Sequence, residues 1–343
     1  SPAMPLAAPL YLRLSTPPFD GAYLCIREHQ PRRLPARTDG PLVLVTCHPG
    51  FIAGSYGEWD YFERLSPLLF AAAGQAFRLR VFTVNHPGYD VPAGAAIDRY
   101  HLEAYSIRHQ PRAMRAGLRW LLDGPLARET DIIWIAYGHS MGGLALSQCQ
   151  TEALAEEMAA AGRRLRPTRV LSAPAFCIQP EAQTILSRLD ALHGLKLTLG
   201  RLPLYAPVAT GLFRAFAPLF YLAGADRFTI GGLRGFGGYG RLNPFILLEQ
   251  GRELLRLEPG DVCGPDTLAD VHILLSRQDG MVNWQATHDL IAAARGAGHR
   301  VNHYDLDSTH LLEVDRPDAV AGILSQIIAG ALDAGAGKNE LVL

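Results

Sequence analysis

The sequence lacks a surplus of charge of either sign. Its 343 residues include 32 Lys and Arg against 33 Asp and Glu, which leaves a formal net charge of -1. Nucleic-acid binding draws much of its affinity from Lys and Arg side chains that neutralise phosphates. A general nucleic-acid-binding protein is therefore excluded.

Cysteine is scarce and follows no pattern. The five cysteines never form a Cys-x-x-Cys pair, which excludes a disulfide framework and a zinc cage. The histidines show no His-Glu-x-x-His or comparable ligand spacing, so no metal is expected. Scattered cysteines of this kind are typical of reduced thiols in a cytosolic protein. They are Cys25, Cys47, Cys149, Cys177 and Cys263.

Long apolar runs and a targeting segment are lacking as well. No stretch of 18 uninterrupted apolar residues occurs, so no transmembrane helix is predicted. The opening residues SPAMPLAAPL have neither the basic region nor the longer apolar region of a secretory signal. A chain of this length buries most of its apolar surface without a covalent staple. We therefore expect a soluble globular protein in the cytoplasm.

An alternation of strands and helices is present instead. Short apolar runs predict buried strands, helical spacing predicts the segments between them, and a hairpin opens the chain. The pattern is typical of an α/β fold with a mostly parallel sheet and helices on both faces. Strands are predicted at 10–14, 22–28, 41–47, 79–85, 131–137, 168–172, 270–276 and 300–306, and helices at 60–73, 105–123, 143–161, 284–296 and 317–331.

The alternation breaks between about residues 174 and 265. Within this part, residues 202–225 carry a single charge, Arg214, and several aromatic residues, including Phe213, Phe216 and Phe220. Such a segment is the core of a cap, the lining of an acyl-binding tunnel, or a contact with a lipid surface. The predicted organisation is a core in two parts, 1–173 and 267–343, with a mainly helical cap inserted at 174–266.

A serine lies at a tight turn between a predicted strand and helix. Residues 138–143 read GHSMGG and directly follow the apolar strand at 131–137. In this context Gly-x-Ser-x-Gly is a nucleophile elbow, whose glycines leave room for the sharp turn and whose serine is presented at the carboxyl edge of the sheet. The alternative is that Ser140 is a structural turn residue.

A base and an acid are expected after Ser140 in the chain, because a serine hydroxyl needs a base to become a nucleophile. Asp279 follows the strand predicted at 270–276, and His310 follows the strand at 300–306. Both loops lie at the carboxyl edge, where sites of α/β sheets form. The alternatives to Asp279 are Asp261, Asp266 and an acid on another strand. His139 is expected to pack beneath the turn.

These features resemble the α/β-hydrolase superfamily over about residues 41–175 and 266–330. The resemblance implies a triad of Ser140, Asp279 and His310, with an oxyanion hole formed by the backbone N–H groups of Met141 and Phe51. Pro49-Gly50-Phe51 stands where the family usually has His-Gly-x.

A narrower similarity to lipid-droplet-associated hydrolases is carried by three short motifs. They are HPGF at 48–51, NHPGY at 85–89 and YSIRHQ at 105–110. The sequence departs from that group in the residues that follow GHS, where it reads MGG.

The resemblance implies a serine hydrolase that cleaves a carboxylic ester or thioester with a hydrophobic acyl group, without a cofactor. The alternatives are an acyltransferase or cyclising thioesterase with the same triad, and a hydrolase-like lipid-binding protein with little activity. Candidate substrate-binding residues are His48, Gly50, His86, Phe213, Phe216 and Phe220, although both histidines have the alternative of being hydrogen-bonded within their loops. A Gly-x-Gly-x-x-Gly match at 235–240 lacks the preceding strand that a dinucleotide site requires.

Overall fold

A computed structural model describes most of the chain outside the 181–243 segment. The described residues are 6–19, 21–31, 39–51, 53–56, 59–74, 76–92, 94–95, 102–180, 244–257 and 265–336. The strands among them are β1 Leu10–Arg13, β2 Tyr23–His29, β3 Leu42–His48, β4 Ser55–Tyr56, β5 Trp59–Asp60, β6 Arg78–Val84, β7 Asp131–His139, β8 Arg164–Ser172, β9 Val271–Leu275 and β10 Val301–Asp305. The helices are α1 Ser66–Ala73, α2 Gln110–Asp123, α3 Met141–Ser147, α4 Thr151–Ala160, α5 Pro244–Leu255, α6 Trp284–Gly296, α7 Leu312–Asp315 and α8 Pro317–Ala336.

Eight of these strands form one sheet in the order β1-β2-β6-β3-β7-β8-β9-β10. The strands from β6 to β10 in this order run parallel, and β1 and β2 add an antiparallel edge. The predicted mostly parallel sheet and opening hairpin are thereby confirmed. Parallel strands place all their carboxyl ends, and the loops that follow them, at one edge.

The sheet is covered by helices on both faces because its central strands are apolar on both. Along β7, Ile132 and Trp134 join the core under α2, α3, α4 and α6, whereas Ile133 and Ile135 join the core under α1 and α8. Successive side chains of a strand point to opposite faces, so a continuous apolar run serves both layers.

Two predicted helices begin later than expected. The helix predicted at 60–73 starts at Ser66, since Asp60 lies in β5 and its carboxylate accepts the Phe62 N–H at 2.8 Å, which forms a turn. The helix predicted at 105–123 starts at Gln110. Before it, the Ser106 hydroxyl accepts the Arg108 N–H and caps a separate 3-10 turn.

The helix predicted at 143–161 is in fact two helices, α3 and α4. The hydroxyl of Ser147 donates to the Leu144 carbonyl at 2.7 Å, in the last turn of α3, and Gln150 leaves the helical region before α4 begins. Strand β8 is longer than predicted and contains Pro167. It pairs with β9 only over 169–172, so the proline segment has a partner on one side alone.

Most of the predicted cap lies outside the described residues, including Phe213, Phe216, Phe220 and the glycines at 235–240. The end of that segment, α5, packs on the core through polar side chains. Gln250 accepts the Tyr89 hydroxyl at 2.8 Å and donates to the Tyr105 carbonyl at 2.9 Å. Glu253 accepts the Ser106 hydroxyl at 2.7 Å. The division at 173 and 266 stays a prediction.

Candidate active site

Ser140 occupies a strained turn between β7 and α3. Its backbone has φ +53° and ψ -115°, a region that L-residues with a side chain rarely adopt. The Ser140 N–H donates to the Ser172 carbonyl at 2.8 Å, and its own carbonyl accepts the N–H groups of Leu144 and Ala175, each at 3.0 Å. These three hydrogen bonds fix the serine at the carboxyl edge of the central strands.

The glycines of the turn are required by close backbone approach. A Cβ on Gly142 would lie 2.3 Å from the His48 carbonyl oxygen, and one on Gly138 would lie 2.6 Å from the Gly142 carbonyl oxygen. No side chain fits at either position. The sequence pattern predicts that side chains at these glycines would collide with the neighbouring backbone, and the structure has that close approach.

The structure brings Ser140, His310 and Asp279 together. His310 follows β10 and Asp279 follows β9, and the His310 ring lies between the other two side chains. Its Nδ1 is 2.8 Å from Asp279 Oδ2, and its Nε2 is 2.9 Å from Ser140 Oγ. Because a carboxylate only accepts, Nδ1 carries the proton and Nε2 is left to accept the serine hydroxyl proton.

The alternative residues lie elsewhere or outside the described part. His272 and His303 are in β9 and β10, and His288 is in α6, as their sequence positions predicted. Asp261 and the side chain of Asp266 are not among the described groups.

The loops that carry Asp279 and His310 are tied to each other. Ser276 donates its hydroxyl to the Ser308 carbonyl, and the Gln278 amide donates to Asp307 Oδ1 at 2.6 Å. On the other side, Asp315 accepts the N–H of Thr309 at 3.0 Å. The spacing between Asp279 and His310 therefore depends on the hydrogen bonds of their loops as well as on their direct contact.

The pKa values of Asp279 and His310 are shifted in opposite directions. Burial alone raises the pKa of Asp279, but the charge and hydrogen bond of His310 and the N–H groups of Val282 and Met281 outweigh it and hold this pKa below its usual range. Burial lowers the pKa of His310, but the charge and hydrogen bond of Asp279, together with the charge of Glu313, raise it more, so the net pKa is above its usual value. The arrangement suits a carboxylate that stays charged beside a histidine that takes up a proton.

The loop that follows β3 lies against the nucleophile. A Cβ on Gly50 would come within 2.9 Å of Ser140 Cβ, so the loop backbone passes directly beside the serine. Met141 is the first residue of α3, where backbone N–H groups have no partner within the helix. Phe51 is half-buried against the core. The two predicted oxyanion donors thus belong to segments that flank Ser140.

His48, the last residue of β3, and His86, which follows β6, are both buried. His86 Nε2 donates to the Pro49 carbonyl at 2.6 Å, and His48 Nε2 lies 3.0 Å from the Thr46 hydroxyl. Burial, with the neighbouring His86, lowers the pKa of His48 to about 3. Burial lowers that of His86 to about 4, against the effect of its hydrogen bond to Pro49. Both rings are therefore neutral at pH 7, and each has a hydrogen-bond partner within the protein. Their part in substrate binding stays a prediction.

Asn85 and Glu313 belong to the surroundings of the site, and neither was assigned a role from the sequence. The Asn85 side chain accepts the Ser55 N–H and donates to the Ser55 carbonyl, both at 2.8 Å, and so holds the chain that follows the β3 loop. Glu313 is fully buried beneath the nucleophile turn. The only sequence signal for it is an acidic residue within the apolar run at 311–314.

Within the described residues, no group of three or more His, Cys, Asp and Glu side chains is arranged to hold a metal ion. The four cysteines in this part of the chain, Cys25, Cys47, Cys149 and Cys177, are free thiols. None of the helices that the structure describes is long and apolar enough to cross a bilayer.

A doubly wound α/β sheet with a serine at a strained strand–helix turn defines a recognisable class of protein. The sequence model of the Alpha/beta hydrolase family matches residues 42–323, and the chain belongs to this family. A comparison with curated proteins finds no match. The narrower similarity to lipid-droplet-associated hydrolases stays a prediction.

Solved structures share the fold at low sequence identity. A thermostable carboxyl esterase from Bacillus coagulans is 15% identical, with a TM-score of 0.55 over 96% of this chain and 99% of its own. A putative aryl esterase from Burkholderia cenocepacia is 17% identical, with a TM-score of 0.54 over 95% and 100%. A hydrolase from Pseudomonas aeruginosa PA01 is 17% identical, with a TM-score of 0.52 over 93% and 98%. At these identities the likeness concerns the fold alone.

Proposed function

We propose that this protein is a serine hydrolase that cleaves carboxylic esters or thioesters through a covalent acyl-enzyme. The observation that carries the proposal is the chain of two hydrogen bonds from Asp279 through His310 to Ser140, at 2.8 and 2.9 Å. In Ser-His-Asp enzymes, this order of acid, base and hydroxyl activates the serine as a nucleophile. The strained φ of +53° at Ser140 is a second support, because strain of this kind is retained where a side chain must be presented.

The first half of the reaction forms the acyl-enzyme. His310 Nε2 takes the Ser140 hydroxyl proton as Oγ bonds to the substrate carbonyl carbon, and the carbonyl oxygen becomes an oxyanion. The N–H groups of Met141 and Phe51 are the proposed donors to that oxyanion. The tetrahedral intermediate then collapses, and the alcohol or thiol leaves with the proton that His310 returns.

The second half releases the acid. Water replaces the leaving group, gives a proton to His310 Nε2 and attacks the acyl carbon, after which Ser140 regains its proton. Asp279 keeps its charge throughout and stabilises the imidazolium in both halves. No step requires a cofactor.

The proposed substrate class is an ester or thioester with a hydrophobic acyl group. Its support is the composition of residues 202–225, which carry one charge in 24 positions. The structural neighbours include a carboxyl esterase and a lipase, which agrees with ester chemistry, although these activities are those of the neighbours. Proposed with this function are the cap at 174–266 and apolar contacts from its Phe213, Phe216 and Phe220.

A fluorophosphonate probe tests the nucleophile. We expect one probe adduct per chain by intact-protein mass spectrometry in the wild type and none in Ser140→Ala. Ser325→Ala is the matched control, since Ser325 lies on α8 and donates to the Ala321 carbonyl at 2.7 Å. This variant should be labelled at the wild-type rate.

Two outcomes would change the proposal. A wild type that reacts with neither the probe nor a small activated ester would favour a hydrolase-like binding protein. A protein that is labelled but converts an ester mainly to a new ester or amide, when an alcohol or amine is added, would be an acyltransferase with the same triad.

A further inference from the structure

A second buried carboxylate, that of Glu313, lies beneath the nucleophile turn. Glu313 is on α7, three residues after His310, and its exposed fraction is 0%. Burying a carboxylate is costly unless its oxygens are hydrogen-bonded. The apolar residues beside it, Leu312 and Val314, belong to the core between the sheet and α8. Apolar side chains are the usual occupants of such a core, so the carboxylate calls for an explanation.

Three hydroxyl groups converge on this carboxylate from different parts of the fold. Tyr61, just before α1, donates to Oε2 at 3.1 Å. Tyr137 on β7 and Ser172 at the end of β8 both donate to Oε1. An ionised carboxylate only accepts hydrogen bonds, and all three of these hydroxyl groups are placed to donate to it.

The same carboxylate approaches His139, the residue before the nucleophile. Glu313 Oε2 is 3.8 Å from His139 Nε2, which donates to the backbone carbonyl of His310 at 2.9 Å. Tyr61 stacks on the His139 ring, with 5.1 Å between ring centroids. His139 Nδ1 is buried without a hydrogen-bond partner among the described residues. The proton of a neutral ring is thus on Nε2, the nitrogen that faces both Glu313 and the His310 carbonyl.

Within the described part of the chain, the side chains that contact the Glu313 carboxylate are neutral at pH 7. Burial lowers the pKa of His139 despite the pull of Glu313, so this ring is neutral at pH 7. Arg64 is exposed and its guanidinium donates to the Val314 carbonyl at 3.0 Å. The other titratable groups near the carboxylate are Cys47 on β3, Tyr61, Tyr137 and, beyond His139, His310 with its partner Asp279.

We infer that Glu313 is a positioning residue for the catalytic histidine: its carboxylate orients His139, which holds the His310 loop, and its charge stabilises the protonated ring that His310 forms during acyl transfer. This inference rests on the proposed function, because only there does His310 gain and lose a proton in each half-reaction. When His310 takes up a proton, a positive charge forms near the Glu313 carboxylate. Only the His139 ring lies between them in this chain of contacts, and its centroid is 4.8 Å from that of His310.

The electrostatic effect on His310 has a definite direction. Asp279 raises the pKa of His310 most strongly against the effect of burial, and Glu313 raises it further. Removing the charge of Glu313 should therefore lower this pKa. In contrast, a merely structural carboxylate could be replaced by its amide with a loss of stability and no change in the titration of His310.

The test is a titration of the His310 ring by NMR in the wild type, Glu313→Gln and Tyr137→Phe. Gln keeps the shape and removes the charge, and we expect it to lower the pKa of His310 by about one pH unit. Tyr137→Phe is the matched control, because it removes one donor to the same carboxylate and keeps the charge. Its His310 pKa should stay near that of the wild type.

Kinetics on a short-chain nitrophenyl ester give the second readout. In Glu313→Gln the acidic limb of the kcat/KM profile should move to lower pH by the same amount, with kcat lower by about tenfold, as a one-unit change in imidazolium stability implies. An unchanged His310 pKa, or equal shifts in Glu313→Gln and Tyr137→Phe, would overturn the inference.

The wild type decides the case if Glu313→Gln does not fold. With glutamate labelled at the carboxyl carbon, the Glu313 resonance should move at the pH at which His310 titrates, and a resonance that does not respond there would overturn the inference. Neither NMR measurement needs turnover. A protein that fails to react with esters would therefore contradict the proposed function, while the NMR titrations would still test the coupling between Glu313 and His310.

Discussion

The two oxygens of Asp279 have separate partners at the scale of single residues. Oδ1 accepts the N–H groups of Met281 and Val282 at 2.7 and 2.9 Å, and Oδ2 faces His310 Nδ1. The backbone contacts determine which oxygen is available to the histidine. An amide at this position would keep its carbonyl oxygen on the two N–H groups and would turn its NH₂ group toward the ring.

Asp279→Asn should therefore fold and lose nearly all its activity. With an NH₂ group opposite Nδ1, His310 would carry its proton on Nε2, where it can no longer accept the Ser140 proton. We expect kcat on an activated ester to fall by about 10⁴-fold, as for the equivalent change in a serine protease triad. A kcat within tenfold of the wild type would show that another acid serves His310.

The raised pKa of His310 makes the pH dependence specific. The base must be neutral to act, so kcat/KM should fall as the pH drops through the pKa of His310, with a midpoint above the usual histidine value of 6.5. Asp279 has a lowered pKa and stays charged across that range. A midpoint clearly below 6.5, measured with one ester over the neutral range, would contradict this assignment.

At the scale of elements, the site is a set of loops at one edge of the sheet. Apolar runs located the strands, and strand ends located Ser140, Asp279 and His310, because parallel strands bring their carboxyl ends together. Helix beginnings were predicted less well. Asp60 and Ser106 form hydrogen-bonded turns where periodicity alone extends a helix, and such local side-chain bonds leave no trace in the spacing of apolar residues.

The close approach of the β3 loop to Ser140 predicts a strong effect of Gly50→Ala. The new methyl group would lie 2.9 Å from Ser140 Cβ and 3.1 Å from His139 Nδ1, so the loop would have to move away. Loss of one oxyanion donor should lower kcat by about 10²-fold to 10³-fold with little change in KM. Steady-state kinetics of ester hydrolysis measure both kcat and KM.

Gly322→Ala is the matched control for that substitution. Gly322 is exposed on α8 and a Cβ there meets nothing within 4 Å, so activity should be unchanged. Alanine should stabilise this helix by about 1 kcal/mol relative to glycine. Equal kinetic effects at both positions would contradict a specific role for the β3 loop.

At the scale of the whole molecule, the contacts that sequence reasoning missed join distant parts of the chain. Tyr61 and Glu313 are 252 positions apart, and Tyr137 and Glu313 are 176 apart. No local pattern predicts such a contact, because it exists only after α7 has packed beneath β7. The proximity of Ser140, Asp279 and His310 could be predicted since each follows a strand, whereas Glu313 sits inside an apolar run and has no comparable signal.

The fold as a whole stabilises a serine in an unfavourable backbone conformation, and this cost can be measured. Ser140→Ala and Ser140→Gly both remove the hydroxyl and its contact with His310, but only alanine keeps a Cβ at φ +53°. We expect Ser140→Gly to be more stable than Ser140→Ala by about 1 kcal/mol in urea unfolding.

Position 292 is the control, because it is exposed within α6. Here glycine should be the less stable residue, and we expect Ala292→Gly to be less stable than the wild type by about 1 kcal/mol. Position 140 is a buried turn with positive φ, whereas position 292 is an exposed helical site where alanine is favoured. The same order at both positions would mean that the turn holds Ser140 without strain.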